Sequence, residues 1–207
     1  ETLRASKELE TIGIKSGEII INGILPKEVC GIEFFRRKYA SQEKVIKETE
    51  SAIEKPKRYM FLRDNEVKGI NALKDVADEL FNGVRSQKSK VRSQESNKMS
   101  FSGLTRESIP SYLDSPNKSE NDGQRTRKTD IDYLWLPDRN KTKTVFFTGK
   151  GGVGKTTISC IAALYTAKKG FKTLLVTTDP AAHIGEVLDV KIGSKPEKIA
   201  DNLFAVM

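Results

Sequence analysis

The sequence predicts an α/β fold in which a parallel sheet is flanked by helices, divided between two incomplete parts of the chain. First, short apolar runs rich in β-branched residues alternate with stretches whose apolar residues recur at three- and four-residue steps. These patterns are typical of buried strands and amphipathic helices, and their alternation indicates parallel βαβ units. Second, a polar stretch, residues 85–141, separates the patterned parts 1–84 and 142–207.

The polar stretch carries much of the net charge. The 207 residues include 36 Lys and Arg against 28 Asp and Glu, a formal charge of +8, and only 37% are hydrophobic. Residues 86–129 contribute about half of that excess. Because such a segment buries too little apolar area to offset its ordering entropy, we expect a flexible, solvated linker. The alternative, a basic arm for nucleic acid or anionic lipid, lacks a dense Lys/Arg block, so a nucleic-acid partner is not expected.

The cysteines and the apolar runs exclude other classes of protein. Two cysteines, Cys30 and Cys160, cannot form a disulfide scaffold or a four-cysteine zinc module, and they fit a reducing compartment. No apolar run is long enough for a membrane span or the core of a signal peptide. Because the chain begins at Glu1 rather than Met, we expect it to be a piece of a longer protein.

The first part, 1–84, is predicted to contain three helices and two strands. A helix over Thr2–Thr11 stops at Gly13, and a buried strand over 18–25 ends at Pro26. Tyr59–Leu62 is a second short strand. The long helix over 34–54 has an inward face of Phe35, Tyr39, Gln42, Ile46, Thr49 and Ile53. The last helix ends at Asn82-Gly83, and its apolar stripe consists of Leu73, Val76, Ala77, Leu80 and Phe81.

The second part, 142–207, repeats the alternation. The predicted strands are Thr144–Thr148, Lys172–Thr178 and Leu203–Val206. Between the first two strands the pattern predicts a helix over Lys155–Lys169, ended by Gly170. Its inward residues are Ile158, Ile161, Ala162 and Tyr165. Cys160, on the same helix, is interpreted as a small buried apolar residue.

A glycine-rich motif joins the first of these strands to the helix. Residues 149–156, Gly-Lys-Gly-Gly-Val-Gly-Lys-Thr, match the phosphate-binding pattern G-x(4)-G-K-[ST] in its required strand–loop–helix context. Glycines let successive backbone N–H groups turn inward around an anion, and the helix adds its positive N-terminal end. The sequence therefore predicts a P-loop NTPase that binds ATP and Mg²⁺. Lys155 is predicted to reach the β- and γ-phosphates, and the Thr156 hydroxyl to ligate Mg²⁺.

Two residues that follow the second strand, Asp179 and His183, are candidates for the site. Asp179 follows the strand next to the phosphate loop, facing the crevice where doubly wound sheets bind ligands. It could orient the attacking water or hold the Mg²⁺ shell, although Asp-Pro is also a common turn and N-cap pair. His183, the only histidine, is assigned no role.

The form GKGGVGKTT resembles the deviant Walker A class of dimer-forming P-loop ATPases. By that resemblance Lys150 reaches across to the partner's nucleotide as a trans-acting charge stabiliser, whereas its residue type alone would indicate surface solubility. The order of three stretches, TVFFTGKGGVGKTT, TTDPAAHIGEVLDV and DNLFAVM, is similar to the first third of the ArsA/Get3-type, arsenical-pump ATPases. The resemblance implies nucleotide contacts from Gly149, Lys150, Gly151, Gly152, Val153, Gly154, Lys155, Thr156 and Thr157. It also makes Asp179 the switch I aspartate.

Residues 1–84 resemble the last third of the same kind of domain. The stretch ETLRASKELETIGIKSGEIIING implies that Asn22 contacts the adenine. Some relatives bind zinc through C-x-x-C just after that strand. Here the stretch is Cys30-Gly-Ile-Glu33, so no zinc is expected. The order of the two parts implies a tandem protein with two fused ATPase halves. Asn22 would then belong to the site of one half, and Lys155, Thr156 and Asp179 to the site of the other.

The resemblance implies a cytoplasmic ATPase, peripheral at the inner face of the membrane, that drives arsenite export through a membrane pump subunit. The second ATPase half would act in cis. Two alternatives remain open at this stage: an ATP-dependent targeting chaperone for tail-anchored membrane proteins, and a partition-like ATPase. Because the second switch and the middle strands are not in the sequence, we expect the chain alone to be inactive in ATP hydrolysis.

Overall fold

The computed structural model describes residues 2–14, 16–82, 135–138, 140–177 and 184–207. We refer to residues 2–82 as the first segment and to residues 135–207 as the second segment. The expected linker and the residues Asp179 and His183 lie outside the described residues. Across the part that is described, no helix combines the length and the apolar character that crossing a membrane requires.

The first segment follows the predicted order of elements. It contains α1 (Thr2–Thr11), β1 (Ile19–Ile24), a 3-10 helix (Lys27–Gly31), α2 (Glu33–Ala52), β2 (Lys57–Phe61) and α3 (Ile70–Asn82). The helix stop at Gly13 is confirmed, because this glycine has φ +79° and the Ile14 N–H donates to the Leu9 carbonyl at 2.9 Å. All five predicted stripe residues of α3 are buried, and so are Ile46 and Ile53.

Strands β1 and β2 are parallel, as the alternation predicts, and β1 contains a bulge. Asn22 pairs with Met60 and Ile24 with Phe61, which leaves Gly23 as the extra residue. Gly23 has φ +74°, a conformation that a Cβ disfavours. The Gln42 amide clamps the bulge, because Nε2 donates to the Gly23 carbonyl at 3.0 Å and Oε1 accepts from Leu25 N–H at 2.9 Å. This clamp explains why a polar residue lies on the inward face of α2.

The second segment contains α4 (Lys155–Lys168), β3 (Thr173–Val176), α5 (Ile184–Leu188), β4 (Glu197–Ala200) and β5 (Leu203–Val206). Strand β5 lies between β3, to which it is parallel, and β4, to which it is antiparallel. The four predicted inward residues of α4 are buried, and so are Cys160, Ala163, Leu164 and Ala167. Helix α4 is therefore covered on more than one side.

The predicted strand Thr144–Thr148 is not formed, since 141–149 carry no assigned strand and pair with none of the described strands. A strand needs a ladder partner, and Phe146 is 76% exposed, so this run lacks the neighbour that would order it. The predicted strand at 172–178 is shorter, Thr173–Val176. Strand β4 is not predicted by the sequence pattern. It is joined to β5 by the turn Asp201-Asn202, where Asn202 has φ +60°.

Both segments contribute to one hydrophobic core. The buried cluster includes Met60 and the stripe of α3 from the first segment, and most of α4 together with Leu175, Leu203 and Ala205 from the second. Helix α3 packs directly on α4. The α/β fold class is therefore confirmed. The proposed boundaries of the parts, 1–84, 85–141 and 142–207, stay predictions.

Candidate phosphate-binding site

The predicted loop leads directly into α4. Gly154 is the N-cap of the helix with φ +85°, and Gly152 has φ +75°. Both values lie in the left-handed region that glycine adopts without steric cost. A helix whose first residues are Lys155, Thr156 and Thr157 presents unpaired N–H groups and a positive dipole end to the loop, and no acidic residue lies in that first turn. This is the electrostatic setting that favours a bound anion.

The glycines also make room that side chains would fill. A Cβ built on Gly154 would lie 2.5 Å from Asn22 Nδ2, and one built on Gly149 would lie 3.0 Å from Val153 Cγ2. At Gly151 and Gly152 nothing lies within 4 Å of such an atom. The residue types of the motif therefore fit a loop that wraps closely around phosphate oxygens.

The side chain of Lys155, which is predicted to contact the β- and γ-phosphates, lies over the phosphate loop. Its Nζ donates to the carbonyl of Lys150 at 3.1 Å, so the side chain folds back across the glycines. The Lys155 and Thr156 residues are both half-buried, whereas Lys150 is exposed. The loop thus carries one ammonium group held against its backbone, that of Lys155, and a second on the exposed residue Lys150.

Asn22 reaches this loop from the first segment. Its Nδ2 donates to the carbonyl of Val153 at 3.2 Å. The bulge at Gly23 and the Gln42 clamp directly follow Asn22 in β1, so a rigid strand end holds the amide in position. The tandem interpretation places Asn22 in a different site from Lys155. In the structure Asn22 contacts the loop that contains Lys155, because the two segments pack on each other. The assignment of the two residues to separate sites stays a prediction.

A buried polar network supports the same region and was not predicted from the sequence. Arg58 Nε lies 2.7 Å from Glu18 Oε1, and the two side chains are 11% and 3% exposed. The N–H does not point along that line, so the contact is an ion pair rather than a hydrogen bond. Arg58 Nη1 also donates to the Leu80 carbonyl at 2.7 Å, and Trp135 Nε1 donates to Glu18 Oε2. Neither Glu18 nor Arg58 belongs to a motif, so no local signal could have identified them.

The two cysteines differ in their surroundings. Cys160 is fully buried, as expected, and burial raises the pKa of its thiol to about 12. Cys30 is half-buried in the 3-10 helix and forms no disulfide. A thiol held protonated in a core is a poor nucleophile and a poor metal ligand. Cys160 is therefore a packing residue.

Comparison with known proteins agrees with the resemblance. The anion-transporting ATPase family matches residues 1–82 and 142–207. A Halobacterium salinarum protein, provisionally named as an arsenical pump-driving ATPase, is 32% identical over 200 residues, which is 96% of this chain and 28% of that relative. An arsenical pump-driving ATPase of Escherichia coli is 58% identical over 50 residues, 24% of this chain and 9% of the relative.

A third relative has a different kind of name. The "ATPase ASNA1 homolog 1" of Paramecium tetraurelia is 47% identical over 66 residues, 31% of this chain and 20% of the relative. The chain thus spans less than a third of the length of the relatives it matches. The family match itself extends over both segments, including the phosphate loop and Asn22. The chain therefore belongs to the anion-transporting ATPase family, the ArsA/Get3-type ATPases.

Proposed function

We propose that this chain is part of an ATPase that uses nucleotide hydrolysis to drive arsenite export through a membrane pump subunit. The observation that carries the proposal is the phosphate loop, with left-handed Gly152 and Gly154 opening α4 and Lys155 folded over it. Membership of the anion-transporting ATPase family supports ATP-driven transport of an anion. The names of two relatives, both arsenical pump-driving ATPases, support arsenite as that anion.

The roles proposed for the side chains are those that the phosphate-loop motif and the resemblance assign. Lys155 exchanges its bond to the Lys150 carbonyl for the β- and γ-phosphates. The Thr156 hydroxyl, in the first turn of α4, would hold Mg²⁺, which would supply positive charge beside the phosphates. Asp179 orients the attacking water, and exposed Lys150 stabilises charge at the partner's site. By the resemblance to the family, Asn22 contacts the adenine.

A substitution of the loop lysine tests the site. In the full-length protein, Lys155→Ala is expected to reduce ATP turnover at this half by at least about a hundredfold, because the charge that stabilises the transferred phosphoryl group is lost. The control is Lys191→Ala, which removes an exposed lysine three residues beyond the end of α5. Steady-state phosphate release is the measurement. Unchanged ATP turnover in Lys155→Ala would contradict the assignment of this loop as the phosphate-binding site.

A second candidate function is ATP-dependent targeting of tail-anchored membrane proteins. The similarity that favours it is the match to the Paramecium ATPase. The same full-length protein separates the two candidates. Under the leading proposal, arsenite increases ATP hydrolysis several-fold and a hydrophobic client helix has no effect. Stimulation by the helix with no response to arsenite would support the targeting function instead.

A further inference from the structure

Three bulky apolar side chains are exposed together where the 3-10 helix passes into α2. Val29, Ile32 and Phe34, which we call the apolar patch, are 36%, 61% and 64% exposed. The Ile32 N–H donates to the Val29 carbonyl at 3.5 Å, and Ile32 is also the N-cap of α2, so one short turn of backbone holds the three side chains near each other. A single exposed apolar residue needs no explanation, whereas a group of them marks a surface for interaction.

Positive charges adjoin the apolar patch. Lys38 Nζ lies 5.9 Å from the centre of the Phe34 ring, so an ammonium group and an exposed aromatic ring occupy the same place on the surface. Arg36 Nη1 lies 3.1 Å from Glu33 Oε2, and Arg37 Nε lies 2.9 Å from Glu33 Oε1. Because two guanidinium groups share one carboxylate, a positive charge stays in excess. Residues 27–38 contain four Lys and Arg against two Glu, a surplus of +2.

These cations do not stabilise the helix that carries them. The N-terminal end of a helix is positive, so acidic residues are favourable in its first turn and basic residues in its last. Helix α2 has the reverse arrangement, with Arg36, Arg37 and Lys38 near its beginning and no basic residue in its last turn. The ion pairs with Glu33 are exposed, and such pairs contribute little to stability. The helix dipole therefore adds to the positive field beside the apolar patch, and an anionic partner would be attracted by both.

We propose that the apolar patch and its adjoining cations form a contact site for an anionic lipid surface. The core of an interface between proteins is depleted of charged residues, whereas here the cations stand directly beside the apolar side chains. A membrane surface accommodates the two together, because Phe34 and Ile32 enter the acyl boundary while Lys38 and the arginines stay among the anionic headgroups. This inference goes beyond the proposed function and requires neither nucleotide binding nor arsenite as the cargo.

The charge requirement is tested by co-sedimentation of the whole 207-residue chain with lipid vesicles. Binding is expected to vesicles of two parts phosphatidylcholine to one part phosphatidylglycerol, to weaken as salt is added, and to be lost with phosphatidylcholine alone. Combining Arg36→Gln, Arg37→Gln and Lys38→Gln is expected to weaken binding roughly fivefold for each charge removed. The control loses the same net charge elsewhere, at exposed Arg4, Lys7 and Lys191, which are changed together to Gln.

The apolar requirement has its own pair of variants. Phe34→Ser is expected to weaken binding to the mixed vesicles by roughly tenfold, since the ring no longer leaves water. The matched control is Ile12→Ser. Ile12 is 69% exposed, but it precedes β1, whereas the apolar patch follows the other end of that strand. The control is expected to bind as the unsubstituted chain does.

Insertion is measured with vesicles whose acyl chains are brominated. Bromine quenches the emission of Phe34→Trp if that side chain enters the acyl boundary, and it is expected to leave Ile12→Trp unquenched. The native Trp135 is only 8% exposed and gives the same background in both variants.

The results decide the proposal in the following way. Losses confined to the Phe34 and 36–38 variants, with quenching of Phe34→Trp alone, support the lipid contact. The proposal is overturned if the chain does not bind the mixed vesicles, or if these variants bind as tightly as the unsubstituted chain, which would assign binding to another basic stretch such as 86–129. It is also overturned if sedimentation equilibrium shows a dimer that Phe34→Ser dissociates, because the apolar patch would then contact a second copy of the chain.

Discussion

The buried ion pair between Glu18 and Arg58 gives the sharpest stability prediction. Glu18→Gln removes the negative charge and leaves the guanidinium in a site where the two side chains are 3% and 11% exposed. Breaking such a pair from one side costs about 3–5 kcal/mol. Arg58 keeps its bond to the Leu80 carbonyl and its position 4.7 Å from the Phe81 ring centre, so we take the lower end, about 3 kcal/mol.

Equilibrium urea unfolding measures the free energy of unfolding, followed by circular dichroism because Trp135 contacts Glu18 directly. The matched control is Glu8→Gln in α1. Glu8 pairs with Arg4 at the same 2.7 Å distance, but the side chains are 63% and 84% exposed. The control is expected to change stability by no more than about 0.5 kcal/mol. The distance is the same in both pairs, so the comparison tests the surroundings: Glu18 is buried and also accepts from Trp135, whereas Glu8 is exposed.

A double substitution checks the cause. Glu18→Gln with Arg58→Met removes both charges, so it is expected to be less destabilising than Glu18→Gln alone, since no unpaired charge stays in the interior. If Glu18→Gln costs no more than Glu8→Gln, the claim that burial makes this pair important is refuted. If the double variant is the less stable one, the cost lies in lost packing of the Arg58 stem rather than in the charge.

Two further predictions concern the reactivity of the cysteines and the glycine at the start of α4. At pH 8 a thiol reagent is expected to modify Cys30 but not Cys160 in the native chain, and both in urea, because burial shields the Cys160 thiol and raises its pKa to about 12. The unfolded thiol ionises first, so the contribution of Cys160 to stability is intact below about pH 9 and falls as the pH rises towards 12. Labelling of both Cys30 and Cys160 in the native chain would contradict this prediction. Gly154→Ala is expected to destabilise the chain by about 1–3 kcal/mol in thermal melts, since alanine at φ +85° is strained and its Cβ would approach Asn22. Gly151→Ala, with open space at its Cβ, is the control, and equal melting temperatures for the two variants would remove the argument.

Helices and the phosphate motif could be predicted because their signals are local. The stripe of α3 repeats at helical spacing within thirteen residues, and all of its members are buried. The loop pattern states which positions need glycine, and Gly152 and Gly154 have the left-handed φ that explains the requirement. The stop at Gly13 is equally local, because the cap is closed by bonds to the preceding turn. A short window of sequence contains everything that these features need.

Strands and the buried network depend on distant residues and were harder to predict. The apolar run 144–148 has the composition of a strand, yet a strand forms only against a partner. Strand β4 has two charged residues and no alternation, and it forms because a tight turn at Asn202 folds it back on β5. Glu18 precedes β1 as an ordinary polar residue, and only packing reveals that it pairs with Arg58 and accepts from Trp135. The distance of 117 residues between Glu18 and Trp135 carries no local pattern.

Helix α4 connects the local motif to the rest of the molecule. A helix that begins at a phosphate loop needs only one buried stripe to pack on a sheet, yet α4 buries eight of its fourteen residues. The sheet residues Leu175, Leu203 and Ala205 lie in the same cluster, and α3 covers α4 from a further side. A helix held from two sides cannot tilt without opening the core. The first segment therefore fixes the loop in two ways, through α3 along the helix and through Asn22 at the helix N-terminus. Both contacts come from the chain itself, and support of this kind lowers the ordering cost that a loop pays when it binds an anion.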